Sequence, residues 1–69
     1  MRTITVETYT PRGTNNGICV ALHYRGRQLH EVCGHKADIA LLSVAALTWA
    51  QNQGFTHHRN IGDDRKHTI

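Results

Sequence analysis

Thr3 to Thr10 alternates: Ile4, Val6 and Thr8 point one way, and Thr5, Glu7 and Tyr9 the other. That is the period of a strand with one buried face. Pro11-Arg12-Gly13-Thr14-Asn15-Asn16-Gly17 breaks the pattern with residues that restrict φ or tolerate positive φ, which predicts a loop, read here as a hairpin connection. Alternation resumes from Ile18 to Tyr24, with Ile18, Val20, Leu22 and Tyr24 on the apolar side. Gly26, inside Arg25-Gly26-Arg27, is the natural turn residue, and Gln28 to Cys33 is the return strand. Its apolar members Leu29 and Val32 fall on opposite faces, which predicts a bulge or a two-sided environment. Two registers are open for this hairpin: one pairs His23 with His30, and a slip of one residue pairs Cys19 with Cys33.

Gly34-His35-Lys36 closes the strand and a helix is expected from Lys36 to Asn52, with Asp38 in its first turn and Gly54 placed to end it. Ten of the twelve residues from Ile39 to Ala50 are apolar, only Ser43 and Thr48 being polar. A helix on one sheet needs an apolar stripe, which Ile39, Leu42, Ala46 and Trp49 provide. Leu41, Val44 and Leu47 extend beyond it. Either the tail folds back over that second side, or the side meets a second copy of the chain or a partner protein. In the tail Thr56 to Ile61 suits a short fourth strand, and residues 62–69 read as a flexible, solvated end. The expected fold is therefore α+β: a three-stranded antiparallel sheet followed by one packed helix, βββα with a short fourth strand, in one domain spanning 1–69.

The 69 residues leave a thin stability margin, since so short a chain buries only about 60 % of its unfolded surface. The net charge is +3, which permits nucleic-acid binding without requiring it. Arg12 and Lys36 are expected at one end of the sheet and Arg25, Arg27 and Arg2 at the other, so the charge is split where phosphate tracking wants a continuous stripe. Met1-Arg2 runs straight into an alternating segment, not a secretory apolar core, and no apolar run reaches the roughly 20 residues of a membrane span. A cytoplasmic location follows as an expectation, in which Cys19 and Cys33 would be free thiols, with a disulfide as the alternative if the strands set them side by side.

Candidate chemistry is sparse. No Cys-x2-Cys or His-x3-His pair offers close metal ligands; the nearest groups are Cys33-Gly34-His35, His57-His58, and His23 with His30 across the hairpin. Ser43 sits mid-helix, Cys33 near His35 lacks an orienting partner, and Glu7 and Glu31 read as surface strand residues. No glycine-rich phosphate loop leads from strand to helix. No metal, no cofactor and no enzymatic activity are expected.

A strand, a hairpin and an alanine-rich helix resemble the first half of the ribonuclease H-like fold, over residues 3–54. Ile18 to Arg27 looks like its second strand and turn. Enzymes of that fold carry an Asp on the first strand, where this chain has only Glu7, so a nuclease is not implied. HicB-type antitoxins use such a truncated unit. So do small phage-borne anti-CRISPR proteins, which the chain resembles in Thr5-Val6-Glu7-Thr8, Pro11-Arg12, Tyr24-Arg25-Gly26-Arg27 and Trp49-Ala50-Gln51-Asn52-Gln53-Gly54. The resemblance implies a non-enzymatic, phage- or mobile-element-encoded inhibitor that binds a CRISPR effector subunit in the host cytoplasm. A nucleic-acid-binding module and an antitoxin are the alternatives. The binding residues expected are Arg12, Tyr24, Arg25, Arg27 and Lys36 on exposed turns, with Leu41, Val44 and Leu47 as an oligomer or partner surface.

Overall fold

The computed structural model describes residues 2–69. β1 (Thr3–Tyr9), β2 (Gly17–Tyr24) and β3 (Arg27–His35) form an antiparallel meander. A single 3-10 turn, Lys36–Asp38, leads into α1 (Ile39–Asn52), and β4 (His57–Asn60) and β5 (His67–Thr68) complete a five-stranded sheet. The strand order is β3-β2-β1-β4-β5, with β4 parallel to β1 and all other pairs antiparallel. The small α+β domain expected from the pattern is what forms.

The hairpin between β2 and β3 sets the geometry. Arg25 and Gly26 both adopt positive φ, 52° and 77°, the left-handed pair that a two-residue loop needs to match strand twist. From there Tyr24 faces Arg27 and His23 faces Gln28. The register then shifts, so that Leu22 faces His30 and Leu29 is left as the extra residue of a bulge. The bulge resolves the opposed faces of Leu29 and Val32. It also selects between the two registers: Cys19 faces Cys33, and His23 does not face His30.

One face of the sheet is covered by α1. Ile4, Val6, Val20, Leu22, Ala46, Ala50 and Phe55 form the buried core, with Val32, Leu42 and Trp49 packed against it. The helix reaches β3 at two places. Leu42 lies over Gly34, where an added Cβ would come within 3.2 Å of its side chain. Trp49 stacks on His30 with ring centroids 4.4 Å apart. Helix entry differs from the expected continuous helix from Lys36. His35 Nδ1 accepts the N–H of Ala37 and opens a 3-10 turn, and Asp38 makes no side-chain cap.

The exit is a Schellman turn. The N–H of Phe55 donates to Ala50 O at 3.1 Å and that of Gly54 to Gln51 O at 3.0 Å, with Gly54 at φ 96°. Arg2 fastens this corner from the start of the chain. Its Nη1 donates to Gln53 O at 3.0 Å, and its guanidinium lies 4.2 Å from the centroid of Phe55.

The tail does not fold back over the outer side of α1. It turns along the far edge of the sheet, where Thr56 and His57 donate to Arg2 O and Ile61 donates to Val6 O. Residues 62–69, expected as a flexible end, form a turn and then β5, held by Ile69 N donating to Thr56 O and by Arg65 bonded to Asp63. Gly54→Ala is expected to cost about 1–2 kcal/mol, because a Cβ strains the left-handed turn and meets Arg2 Nη1. Thermal unfolding checks this, at about 4–8 °C in Tm per kcal/mol for a domain of this size.

Candidate functional site

Two surfaces remain after the core is accounted for. The first is the outer side of α1. Ile39, Leu42, Ala46, Trp49 and Ala50 point inward at helical spacing, which turns Leu41 and Val44 outward. They are 70 % and 64 % exposed. Leu47, expected with them, is half-buried and packs against the core. Helix α1 contacts both β2 and β3, and β3 is an edge strand hydrogen-bonded only to β2. The outer backbone groups of this nine-residue edge strand are unpaired among the described residues, while α1 meets β3 through Leu42 and Trp49, on a different side from Leu41 and Val44.

The turn residues divide between the ends of the sheet. Arg12 is exposed in the β1–β2 loop, and Lys36 is tied to that loop by its N–H donating to Asn16 O at 2.6 Å. Tyr24, Arg25 and Arg27 lie at the other end, separated by the eight residues of β2, or roughly 25 Å at about 3.3 Å per residue. Tyr24 is half-buried, packs edge-on against Phe55 at 5.0 Å, and carries Arg2 and Arg25 over its ring at 5.4 and 5.2 Å. Its ring is thus part of the corner packing, whereas Arg12, Arg25 and Arg27 are exposed. The structure does not bring these five residues into one site.

The second surface is the sheet face away from α1. Register and the two-residue period place Glu7, Tyr9, Cys19, Ala21, His23, Glu31 and Cys33 there. Tyr9 faces Cys19, and its hydroxyl reaches across β2 to donate to Glu31 Oε2 at 2.5 Å. Hydrogen bonding to Glu31, followed by burial and the charges of Glu31 and Glu7, holds the Tyr9 phenol above its ordinary value, so it remains a donor. Cys19 and Ala21 are buried although they lie on this face. A disulfide joins Cys19 to Cys33, and Glu31 Oε1 lies 3.5 Å from the Cys33 sulfur. The free-thiol expectation is corrected by the register, which sets the two cysteines directly opposite each other. Beside them His23 Nε2 donates to Glu7 Oε1 at 3.0 Å.

Glu7, Tyr9, Glu31 and His23 were not singled out as a group from the sequence. Period two places Glu7 and Tyr9 on one face, but the neighbours across β2 depend on the bulge. The ligand groups suggested by sequence proximity disperse instead. His35 caps the 3-10 turn, His30 stacks on Trp49, and His57 bonds Thr56. No family model matches the chain, no curated protein matches it, and no solved structure matches it. Among the described residues no helix is long and apolar enough to cross a membrane.

The β4–β5 edge carries a pH dependence. Burial, with the charges of His67 and His57 adding to it, holds His58 below its ordinary value of 6.5. A histidine depressed in the folded state binds its proton more readily when unfolded, so stability falls as pH drops through 6.5. Asp63, lowered from 3.8 mainly by its hydrogen bonds from Arg65, contributes stability that is lost only in a separate, more acid window. Thermal unfolding is expected to show Tm declining as pH falls through the histidine range, and His58→Gln to flatten that decline.

Proposed function

We propose that this protein is a small non-enzymatic inhibitor that works by occupying the surface of a partner protein. The observation that carries the reading is the uncovered pair Leu41 and Val44, 70 % and 64 % exposed on a helix that packs beside the edge strand β3. A domain of 69 residues has little apolar material to spare. Spending two large side chains on solvent is a cost that a partner's surface recovers. The edge strand β3, against which α1 packs, separately offers unpaired backbone donors and acceptors, and strand addition is a common mode of protein recognition. Arg27 opens that edge and offers a charged anchor beside it.

The resemblance to small phage-borne anti-CRISPR proteins gives the sharpest version: a mobile-element protein that binds a subunit of a CRISPR effector and blocks target DNA or nuclease recruitment. The separation of Arg12 and Lys36 from Arg25 and Arg27 weighs against a nucleic-acid-binding module, because phosphate contacts favour a continuous basic stripe.

Affinity capture of the tagged chain from a bacterial lysate carrying a type I CRISPR system tests the reading, with and without nuclease. Nuclease-resistant recovery of one effector subunit is expected, and the double variant Leu41→Asp, Val44→Asp should lose most of it while keeping the fold by circular dichroism. Recovery that vanishes with nuclease, or that the folded double variant leaves unchanged, would contradict it.

A further inference from the structure

The geometry points to a redox-gated metal site on the sheet face away from α1, in which Cys19, Cys33 and Glu31 bind a thiophilic divalent cation such as Zn²⁺ once the disulfide is reduced. The sulfur of each cysteine and a carboxylate oxygen of Glu31 all lie within 4.8 Å of one another. Two sulfurs each about 2.3 Å from one ion at the tetrahedral angle stand about 3.8 Å apart, which fits inside that span. Once the sulfur–sulfur bond is opened, the two sulfurs must swing apart by side-chain rotation to that separation to seat the ion. Two cysteines and a carboxylate leave a fourth position for water, the open arrangement of a three-ligand zinc site.

Three further features fit a cation site. Glu31 has no cationic partner: among the described residues the ion pairs are His23 with Glu7 and Arg65 with Asp63. Its two oxygens are divided between tasks, with Oε2 taken by the Tyr9 hydroxyl at 2.5 Å and Oε1 turned to the Cys33 sulfur at 3.5 Å. A ligand carboxylate held by an outer hydrogen bond is a recurring feature of metal sites, and Tyr9 is in this sense a positioning residue. Finally, the site is open on one side only: Cys19 is 3 % exposed, while Cys33 is exposed at the edge strand. A carboxylate beside two sulfurs disfavours thiolates through like charge and is offset by a cation. The arrangement therefore suits a metal better than a nucleophilic cysteine.

The gate is stoichiometric. A dithiol reductant delivers two electrons and two protons to the Cys19–Cys33 bond, giving two thiols and the reductant's own disulfide. Zn²⁺ then displaces two protons as both sulfurs bind it. A disulfide oxidant reverses the first step: it takes two electrons from the two bound thiolates and two protons from solvent to become two thiols, the Cys19–Cys33 bond re-forms and the ion is released, so the disulfide and the metal exclude each other.

Anaerobic titration of the reduced full-length chain with Co²⁺, followed by displacement with Zn²⁺, tests the site. Reduced protein is expected to develop a near-ultraviolet thiolate-to-cobalt band that Zn²⁺ abolishes, and Zn²⁺ should raise the Tm of the reduced chain only. Oxidised protein and Cys33→Ser should show neither effect. Glu31→Gln and Tyr9→Phe, which leave both thiols in place, should weaken Zn²⁺ binding by about 10–100-fold. The site is overturned if the reduced chain gives no such band or loses its fold without metal recovery. It is equally overturned if Cys33→Ser binds Co²⁺ as the parent does, or if Glu31→Gln and Tyr9→Phe bind Zn²⁺ unchanged.

Discussion

The register of the β2–β3 hairpin is the constraint on which the rest of this molecule depends. It is pinned at one end by the left-handed Arg25-Gly26 pair and near the other by Cys19 facing Cys33, with the bulge at Leu29 absorbing the one-residue mismatch between them. Side chains alternate in direction along a strand, so a slip of one residue would send every β3 side chain to the opposite face. Val32 would leave the core, Gly34 would no longer admit Leu42, and His30 would not meet Trp49. The helix is seated by those three contacts as much as by the core, and its seating decides which of its apolar residues stay outside.

Both candidate surfaces descend from that register. On one side of the sheet, an inward stripe of Ile39, Leu42, Ala46 and Trp49 leaves Leu41 and Val44 facing solvent. On the other, Glu31 and Cys33 are carried next to Tyr9 and Cys19 across the width of β2. The two ends of the sheet are closed by unrelated means. Arg2, Phe55 and Tyr24 lock the helix C-terminus against the hairpin turn, and the backbone bond from Lys36 to Asn16 ties the helix entry to the first loop. The arginine and lysine residues expected as anchors are distributed between these ends and form no single cluster, while Leu41 and Val44 remain uncovered on the outer side of α1.

Much of the fold was legible in the sequence because its signals are local. Alternation marked β1 and β2, Gly26 marked the turn, and Leu29 against Val32 marked a bulge. The excess apolarity of Leu41 and Val44 was visible as well, since helical spacing alone shows that one packed face cannot bury them. What was not legible depends on pairing across the chain. That Cys19 and Cys33 can pair follows from their being opposite each other, and the two registers differ by one residue. The short fourth strand expected over Thr56 to Ile61 forms as β4, but the tail carried too few apolar residues to reveal that it would pair in parallel with β1 or that β5 would follow it at the edge. Leu47 looked equivalent to Leu41 and Val44, but its angular position on α1 turns it to the flank of the core.

Nuclear Overhauser contacts across the hairpin of the isotopically labelled full-length chain test the register most directly. Contacts joining Cys19 to Cys33, Val20 to Val32 and Leu22 to His30, together with His23 to Gln28 beyond the bulge, are the predicted set. A set joining His23 to His30, with every β3 partner displaced by one, would contradict it and would remove both the helix seating and the sulfur–carboxylate cluster that depend on it.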